Sequence, residues 1–436
     1  MKNNFDQLRN AIFFFLFASS FALIAASNQT VASTQNLPAP REEQLLNNLK
    51  VLVWAEPSNP NVIVKLRIDG GAAFDVRGKE GTARLLADVL FPDDQTRQFV
   101  EEELGGSLKV ECNYDFIEIT AKGRADEFER ILETVRSAIL NPPITPENFK
   151  RVQAARLKIV QTESLKPENV ADAEMRKKLL GDFPYGRPMN GTTQSIQKID
   201  RTDLLQARER LLTADNATLA IIGNVKENYA LRAARQFFGS WQKSDKAVPA
   251  TFRQPDAPDN SLVVAKLSNA SEEQIRFALR GAARNAPDFA ASEVAAQILG
   301  ERWQKTLPSE ISRTAFVNHE PHVLPGLVIF GIRVQNASAD SYLTSAPTAL
   351  NKILTAALTA DEVNQAKSNV TTQINENLKS SEAAARFWLD AETYKFDAKV
   401  KPGEAINAVT LAQVQDVLAN WRTQTFVTTV AVREKR

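Results

Sequence analysis

The residues where chemistry would be sought first lie just after a Gly-Gly turn at positions 70–71. Apolar side chains recur at helical spacing over residues 81–91 and predict an amphipathic helix. Arg84 and Asp88 are four positions apart, so they share a helix face and could form an ion pair worth about 0.2–0.5 kcal/mol if exposed. Ala87 has no group that can act as a base. The simplest interpretation of these three residues is an ordinary helix surface.

The chain contains two histidines, His319 and His322, which excludes a metal site built mainly from histidine. Pro321 interrupts any helix that would align them, and no cysteine or carboxylate cluster surrounds them in the sequence. A polar loop or strand end is therefore favoured over a metal site. The single cysteine, Cys112, excludes an intramolecular disulfide, and its strand-like surroundings predict a small buried residue rather than a reactive thiol.

Composition places the chain among ordinary folded proteins. Of its 436 residues, 43% are hydrophobic and 24% are charged, which is enough apolar surface for more than one core. The formal net charge of +1 gives no electrostatic reason to expect nucleic-acid binding. We find no phosphate-binding glycine loop, no cofactor fingerprint and no convincing Ser/His/Asp arrangement, so an enzyme of another mechanism has little support.

The first 33 residues have the form of a secretory signal peptide. Lys2 and Arg9 precede an apolar run at positions 11–26, and small residues follow it. The run is near the lower limit for a membrane span, so an uncleaved membrane anchor is the alternative. Export without a disulfide pair favours a bacterial periplasm.

The rest of the chain predicts two similar α/β domains. A linker at 34–44 leads to a first domain at 45–242, and a linker at 243–260 leads to a second domain at 261–436. Strand and helix patterns recur in the same order in both domains, at an offset of about 210 residues. This period indicates an internal duplication.

Several landmarks together resemble the insulinase/mitochondrial-processing-peptidase family of zinc metallopeptidases, peptidase family M16. They are the Gly-rich entry to the helix, the Pro184-Tyr185-Gly186 loop, the Asn141-Pro142 helix stop and the duplication. The resemblance implies an α+β fold of two homologous LuxS/MPP-like metallohydrolase-type domains forming a clam shell.

The resemblance also implies that this chain has no catalytic residues and no zinc. The family's H-x-x-E-H motif is replaced, with Arg84 and Asp88 at the histidine positions and Ala87 at the glutamate position. Arg84 stays protonated and cannot bind a cation. The third ligand, a glutamate on a later helix, corresponds to Ile159. In the second domain, an arginine and a tyrosine that grip substrate correspond to Ser309 and Phe316, with Arg302 and Arg313 as the nearby substitutes for the arginine.

The family further implies a peptide that adds as a strand to a sheet edge. The implied partner is an M16 zinc peptidase with an intact H-x-x-E-H motif, to which this chain contributes peptide binding. The alternative is a stand-alone peptide-binding or scaffold protein of the cell envelope, with a self-oligomer in place of the peptidase partner, because inactive relatives serve as core subunits of the cytochrome bc1 complex. Any membrane contact is expected through the N-terminal segment alone.

Overall fold

The computed structural model describes residues 39–244, 252–253, 255–267, 272–334 and 339–433. These residues belong to one compact unit. The predicted signal peptide at 1–33 lies outside the described residues. Among the helices of the described ranges, none is both long and apolar enough to cross a bilayer.

The first half is a six-stranded sheet with eight helices. The sheet order is β1-β2-β6-β3-β5-β4. Its strands are β1 Arg41–Gln44, β2 Lys50–Ala55, β3 Asn61–Asp69, β4 Ser107–Cys112, β5 Phe116–Arg124 and β6 Ala217–Gly223. Its helices are α1 Thr82–Val89, α2 Gln95–Glu102, α3 Phe128–Leu140, α4 Pro146–Glu163, α5 Pro167–Leu180, α6 Thr193–Lys198, α7 Arg201–Leu211 and α8 Glu227–Phe238.

The second half is a five-stranded sheet with seven described helices. The sheet order is β7-β11-β8-β10-β9. Its strands are β7 Val263–Leu267, β8 Glu273–Arg280, β9 Phe316–Glu320, β10 Leu327–Val334 and β11 Val427–Arg433. Its helices are α9 Phe289–Thr306, α10 Ser309–Ser312, α11 Ala339–Thr355, α12 Ala360–Asn377, α13 Ser381–Tyr394, α14 Pro402–Asn407 and α15 Leu411–Thr423.

The predicted duplication is confirmed by the strand order and by the strand directions. In the first sheet β2 runs parallel to β6, and β6, β3, β5 and β4 are successively antiparallel. In the second sheet β7 runs parallel to β11, and β11, β8, β10 and β9 are again successively antiparallel. Apart from β1, the two sheets therefore have the same topology.

Strand β1 corrects one predicted boundary. The linker predicted at 34–44 includes residues 41–44, but these four residues all pair antiparallel with β2. All four side chains are charged or polar, which conceals the strand, because an exposed edge strand needs no apolar face. The other predicted domain limits remain predictions.

Each half covers the open face of the other half's sheet with one helix. Helix α5 packs on β8 and β11, where Asp172 forms an ion pair with Arg276 at 2.6 Å. Helix α13 packs on β3 and β6, where Asp390 forms an ion pair with Arg67 at 2.5 Å. Apolar side chains of α13, including the buried Trp388, pack on the first sheet. The strands are therefore buried on both faces, and the two halves stabilise each other.

Candidate functional site

Helix α1 is fixed at its N-terminus by a buried carboxylate. The two side-chain oxygens of Asp75 accept hydrogen bonds from the backbone N–H groups of Gly81, at 2.7 Å, and Ala83, at 2.8 Å. Burial raises the pKa of the Asp75 carboxyl to about 7, and the two hydrogen bonds oppose that rise. Gly81 has a φ of 96°, a left-handed conformation that glycine adopts without strain. The start of α1 is thus set by the turn that precedes it.

Arg84 and Asp88 belong to a cluster of three charged side chains, which we call the motif cluster: Arg84, Asp88 and Arg156. Arg84 Nε lies 3.3 Å from Asp88 Oδ1, which confirms the predicted ion pair. Arg156 from α4 donates to Asp88 through Nε at 2.9 Å and through Nη2 at 2.7 and 2.8 Å. Such forked pairing is the strongest geometry available to arginine and carboxylate.

The motif cluster is not an ordinary helix surface, and in that respect the simplest interpretation is wrong. The Arg156 side chain is only 6% exposed and that of Asp88 is 20% exposed. Ala87 is buried in the core beneath them. The face of α1 that carries these residues therefore packs against α4.

Arg156, and not Ile159, is the residue of α4 that faces α1. The Ile159 side chain is exposed, with 42% of the residue's surface accessible. Val152, Arg156 and Val160 are buried at intervals of four, which defines the inward face of α4. Ile159 lies three positions after Arg156 but on the exposed side of this stripe. The residue predicted to correspond to the third ligand therefore does not face the motif cluster, because a helix turns by about 100° per residue.

A zinc ion does not fit these residues. Two guanidinium groups surround the one carboxylate, and neither can lose its proton to bind a cation. Ala87 offers no base. Throughout the described ranges there is no group of three histidine, cysteine or acidic side chains that could hold a metal.

Strand β4 lies beside α1 and forms one edge of the first sheet. It pairs with β5 on one side, and none of the described strands pairs with its other side. Cys112 at the end of β4 is buried, as predicted. The backbone of β4 is therefore placed to accept an additional extended strand.

The structure gives different surroundings to the three candidate substrate-binding residues of the second half. Arg302 donates to both carboxylate oxygens of Glu362, at 2.7 and 2.6 Å, and to backbone carbonyls in the last turn of α11 and just after it, so its donors are already engaged. Arg313 is exposed at the end of α10. Phe316 is 38% exposed at the start of β9, with the Arg276 guanidinium 5.3 Å from its ring centroid. No described hydrogen bond or ion pair joins these residues to the motif cluster.

A second polar cluster, which the sequence did not predict, joins the two halves around His322. His322 Nδ1 lies 2.7 Å from Asp115 Oδ2, and Tyr185 Oη donates to Asp115 Oδ1 at 2.8 Å. The Tyr185 and His322 rings stack with centroids 4.1 Å apart. Burial alone would lower the pKa of His322, but the hydrogen bonds and charges of Asp115 and Glu320 outweigh it and raise the pKa.

The sequence predicts no carboxylate cluster around the two histidines. The structure shows that this is wrong, because each histidine has a carboxylate partner. His319 Nδ1 lies 2.7 Å from Glu293, a residue of α9. Glu320 forms an ion pair with Arg176, and together with His322 this arginine holds the pKa of Glu320 at about 2 against the effect of burial. In the sequence, the feature that points to this cluster is the Pro-Tyr-Gly loop, because its tyrosine forms a contact between the two halves. Asp115, Tyr185 and His322 are buried, so their contacts stabilise the interface between the two halves.

Comparison with family models gives two adjacent matches. The model of the peptidase M16 inactive domain matches residues 198–370. The model of insulinase, peptidase family M16, matches residues 50–193. The two matches follow each other in the order of the two halves.

Curated relatives are distant and longer than the matched region. A probable mitochondrial-processing peptidase subunit beta of Arabidopsis thaliana is 24% identical over 70% of this chain and 58% of its own length. Cytochrome b-c1 complex subunit 1 of Rattus norvegicus is 21% identical over 62% of this chain and 57% of its own. A zinc protease of Rickettsia bellii is 22% identical over 47% and 51%. The chain thus spans about half the length of these relatives.

Solved structures of similar fold cover nearly the whole described chain. A protease from Helicobacter pylori superposes with a TM-score of 0.81 at 17% identity, covering 90% of this chain and 100% of that one. A peptidase M16 inactive domain from Pseudomonas fluorescens gives 0.80 at 19% identity, covering 91% and 99%. The periplasmic protease PqqL from Escherichia coli gives 0.72 at 12% identity, covering 91% and 48%. At these identities the likeness concerns the fold.

Proposed function

The chain belongs to peptidase family M16, and from that premise we propose that it is an exported, non-catalytic member of the family. In this proposal it pairs with a zinc-bearing M16 peptidase and contributes to binding the peptide. The observation that carries the proposal is the motif cluster, in which Arg84 and Arg156 surround Asp88. Two guanidinium groups exclude a divalent cation by charge and leave no base for hydrolysis.

Peptide binding is supported by the free edge of β4. In an enzyme of this fold, a peptide lying along an edge beside α1 would pass the motif positions. Here the edge is retained although the motif side chains are replaced. An extended peptide would gain backbone hydrogen bonds from β4 without any catalytic step.

A partner chain is supported by the way in which the two halves meet. Helices α5 and α13 fill the faces between the two sheets, and the His322 cluster links the halves by buried hydrogen bonds. A space that accepts a peptide against β4 would therefore be completed by a second chain. Relatives named as a processing-peptidase subunit and a cytochrome b-c1 subunit make subunit roles a precedent in the family.

Export is supported by the signal-like residues 1–33 and by the periplasmic protease among the similar folds. The alternative function is a structural or peptide-binding scaffold of the cell envelope, with self-association in place of a peptidase partner. The similarity to cytochrome b-c1 complex subunit 1 supports this alternative.

The test is affinity purification of the tagged chain from the envelope fraction of its own cells, with mass spectrometry of the companions. Zinc is measured in each species by elemental analysis. Near-stoichiometric recovery of a second M16 chain with an intact H-x-x-E-H motif, carrying the zinc, is the expected result. Recovery of the chain alone or as a self-oligomer would favour the scaffold. Stoichiometric zinc and unaided peptide cleavage by the isolated chain would refute both.

A further inference from the structure

A cavity of about 900 Å³ lies in the second half, between the start of α9, the end of α12, helix α13 and the segment that follows it. Its size falls in the range of about 300–1,000 Å³ typical of small-molecule sites. Its walls are largely apolar, with contributions from Phe289, Ile374, Phe387, Val400 and Ile406. None of the motif-cluster residues lines it.

Two arginines, Arg284 and Arg386, line the cavity; Arg386 is exposed, whereas Arg284 carries a partly buried positive charge that the protein leaves without a carboxylate partner. Its guanidinium carbon lies 4.0 Å from the Phe289 ring centroid and 4.7 Å from that of Phe396. Within the described part of the chain, no carboxylate oxygen lies within 4.0 Å of this group, and its side chain makes no hydrogen bond. Burial accordingly lowers the pKa of Arg284, although the charges of Glu293 and Asp390 act in the opposite direction.

The carboxylates that line the same cavity are already engaged with other groups. Glu293 Oε1 lies 2.7 Å from His319 Nδ1, and Asp390 Oδ1 lies 2.5 Å from Arg67 Nη1. Asp397 accepts a hydrogen bond from a backbone N–H at 2.9 Å. The acidic groups of the cavity therefore have partners, while the Arg284 guanidinium contacts two phenyl rings that offer no oxygen acceptor.

We propose that this cavity binds a small aliphatic monocarboxylate, with its carboxylate on the Arg284 guanidinium and its hydrocarbon chain against the apolar walls. A carboxylate matches the forked N–H donors of arginine and supplies the charge that the aromatic neighbours lack. A single negative charge fits better than two, because Glu293 and Asp390 also act on this position. The hydrocarbon gains from leaving water for the surface of Phe289, Ile374 and Phe387. This proposal does not depend on the proposed function.

The test is isothermal titration calorimetry of the full chain with decanoate near neutral pH, and with decanol as the uncharged analogue. We expect saturable one-to-one binding of decanoate, and at least about tenfold weaker binding of decanol. Arg284→Met should weaken decanoate binding by a similar factor and leave decanol unchanged. Arg422→Met is the matched control, because Arg422 is an exposed arginine of the same half that does not line the cavity.

Ala405→Phe tests the location without touching the arginine, because Ala405 lines the cavity and a larger side chain there would occupy its volume. Ala405→Phe should abolish binding of both ligands. If Arg284→Met does not fold, this variant alone tests whether the cavity is the binding site. Unchanged decanoate binding in a folded Arg284→Met, or in Ala405→Phe, would overturn the proposal. Absence of binding to the wild-type chain, or preference for an apolar peptide with a free carboxyl terminus over decanoate, would overturn it as well.

Discussion

Asp88→Ala removes the one carboxylate that separates two arginines of the motif cluster. Arg156 would lose all three of its contacts to Asp88 and remain almost fully buried, and Arg84 would lose its contact at 3.3 Å. Breaking a buried pair by removing one partner costs about 3–5 kcal/mol, because the remaining charge is desolvated and unpaired. Asp88 keeps 20% of its side chain exposed, so water offsets part of this cost. We expect a loss of about 2–4 kcal/mol of unfolding free energy.

Urea unfolding followed by tryptophan fluorescence measures this loss, with circular dichroism as the check that each variant is folded. Asp94→Ala is the matched control, because Asp94 is 86% exposed and its contact with Arg97 is 3.5 Å long. Such surface pairs contribute about 0–1 kcal/mol, so the control should unfold close to the wild type.

The double variant Asp88→Leu/Arg156→Met separates unpaired charge from lost packing. Replacing both partners by apolar side chains removes the buried charge, so most of the stability lost in Asp88→Ala should return. Asp88→Ala within about 0.5 kcal/mol of the wild type would refute the reasoning, since the pair would then behave as a surface pair. A double variant as unstable as the single one would place the cost in packing instead.

Three further outcomes follow from the structure. The raised pKa of His322 stabilises the fold fully below the ordinary value of about 6.5, and this contribution is lost as pH rises through the folded value. The difference in urea midpoint between the wild type and His322→Gln should therefore be largest below about pH 6.5 and become smaller as pH rises above it. Trp388→Ala should cost about 3–5 kcal/mol in the same assay, because this buried side chain packs between the halves. Gly106→Ala should prevent soluble expression, because its Cβ would lie 1.8 Å from the Lys122 carbonyl oxygen, whereas Gly78→Ala, with nothing within 4 Å, should cost about 1 kcal/mol.

The residue types at the motif positions follow from the sequence alone. Arg84 and Ala87 cannot bind zinc or act as a base in any fold, since these are properties of the side chains themselves. The duplication was also visible, because strand and helix patterns are local and recur at a fixed offset. Even the Arg84–Asp88 pair followed from helical geometry, which relates positions four apart.

Contacts between distant positions were decided by tertiary structure. The choice of Arg156 over Ile159 depends on how α4 is rotated against α1, and two residues three positions apart on a helix are not distinguished by sequence alone. His322 and Asp115 are 207 positions apart, and no local pattern predicts their hydrogen bond. Arg284 shows the same limit, since only the folded chain leaves it beside two phenyl rings without a carboxylate. Side-chain chemistry is a local property that the sequence states, whereas pairing and burial depend on which distant surfaces pack together.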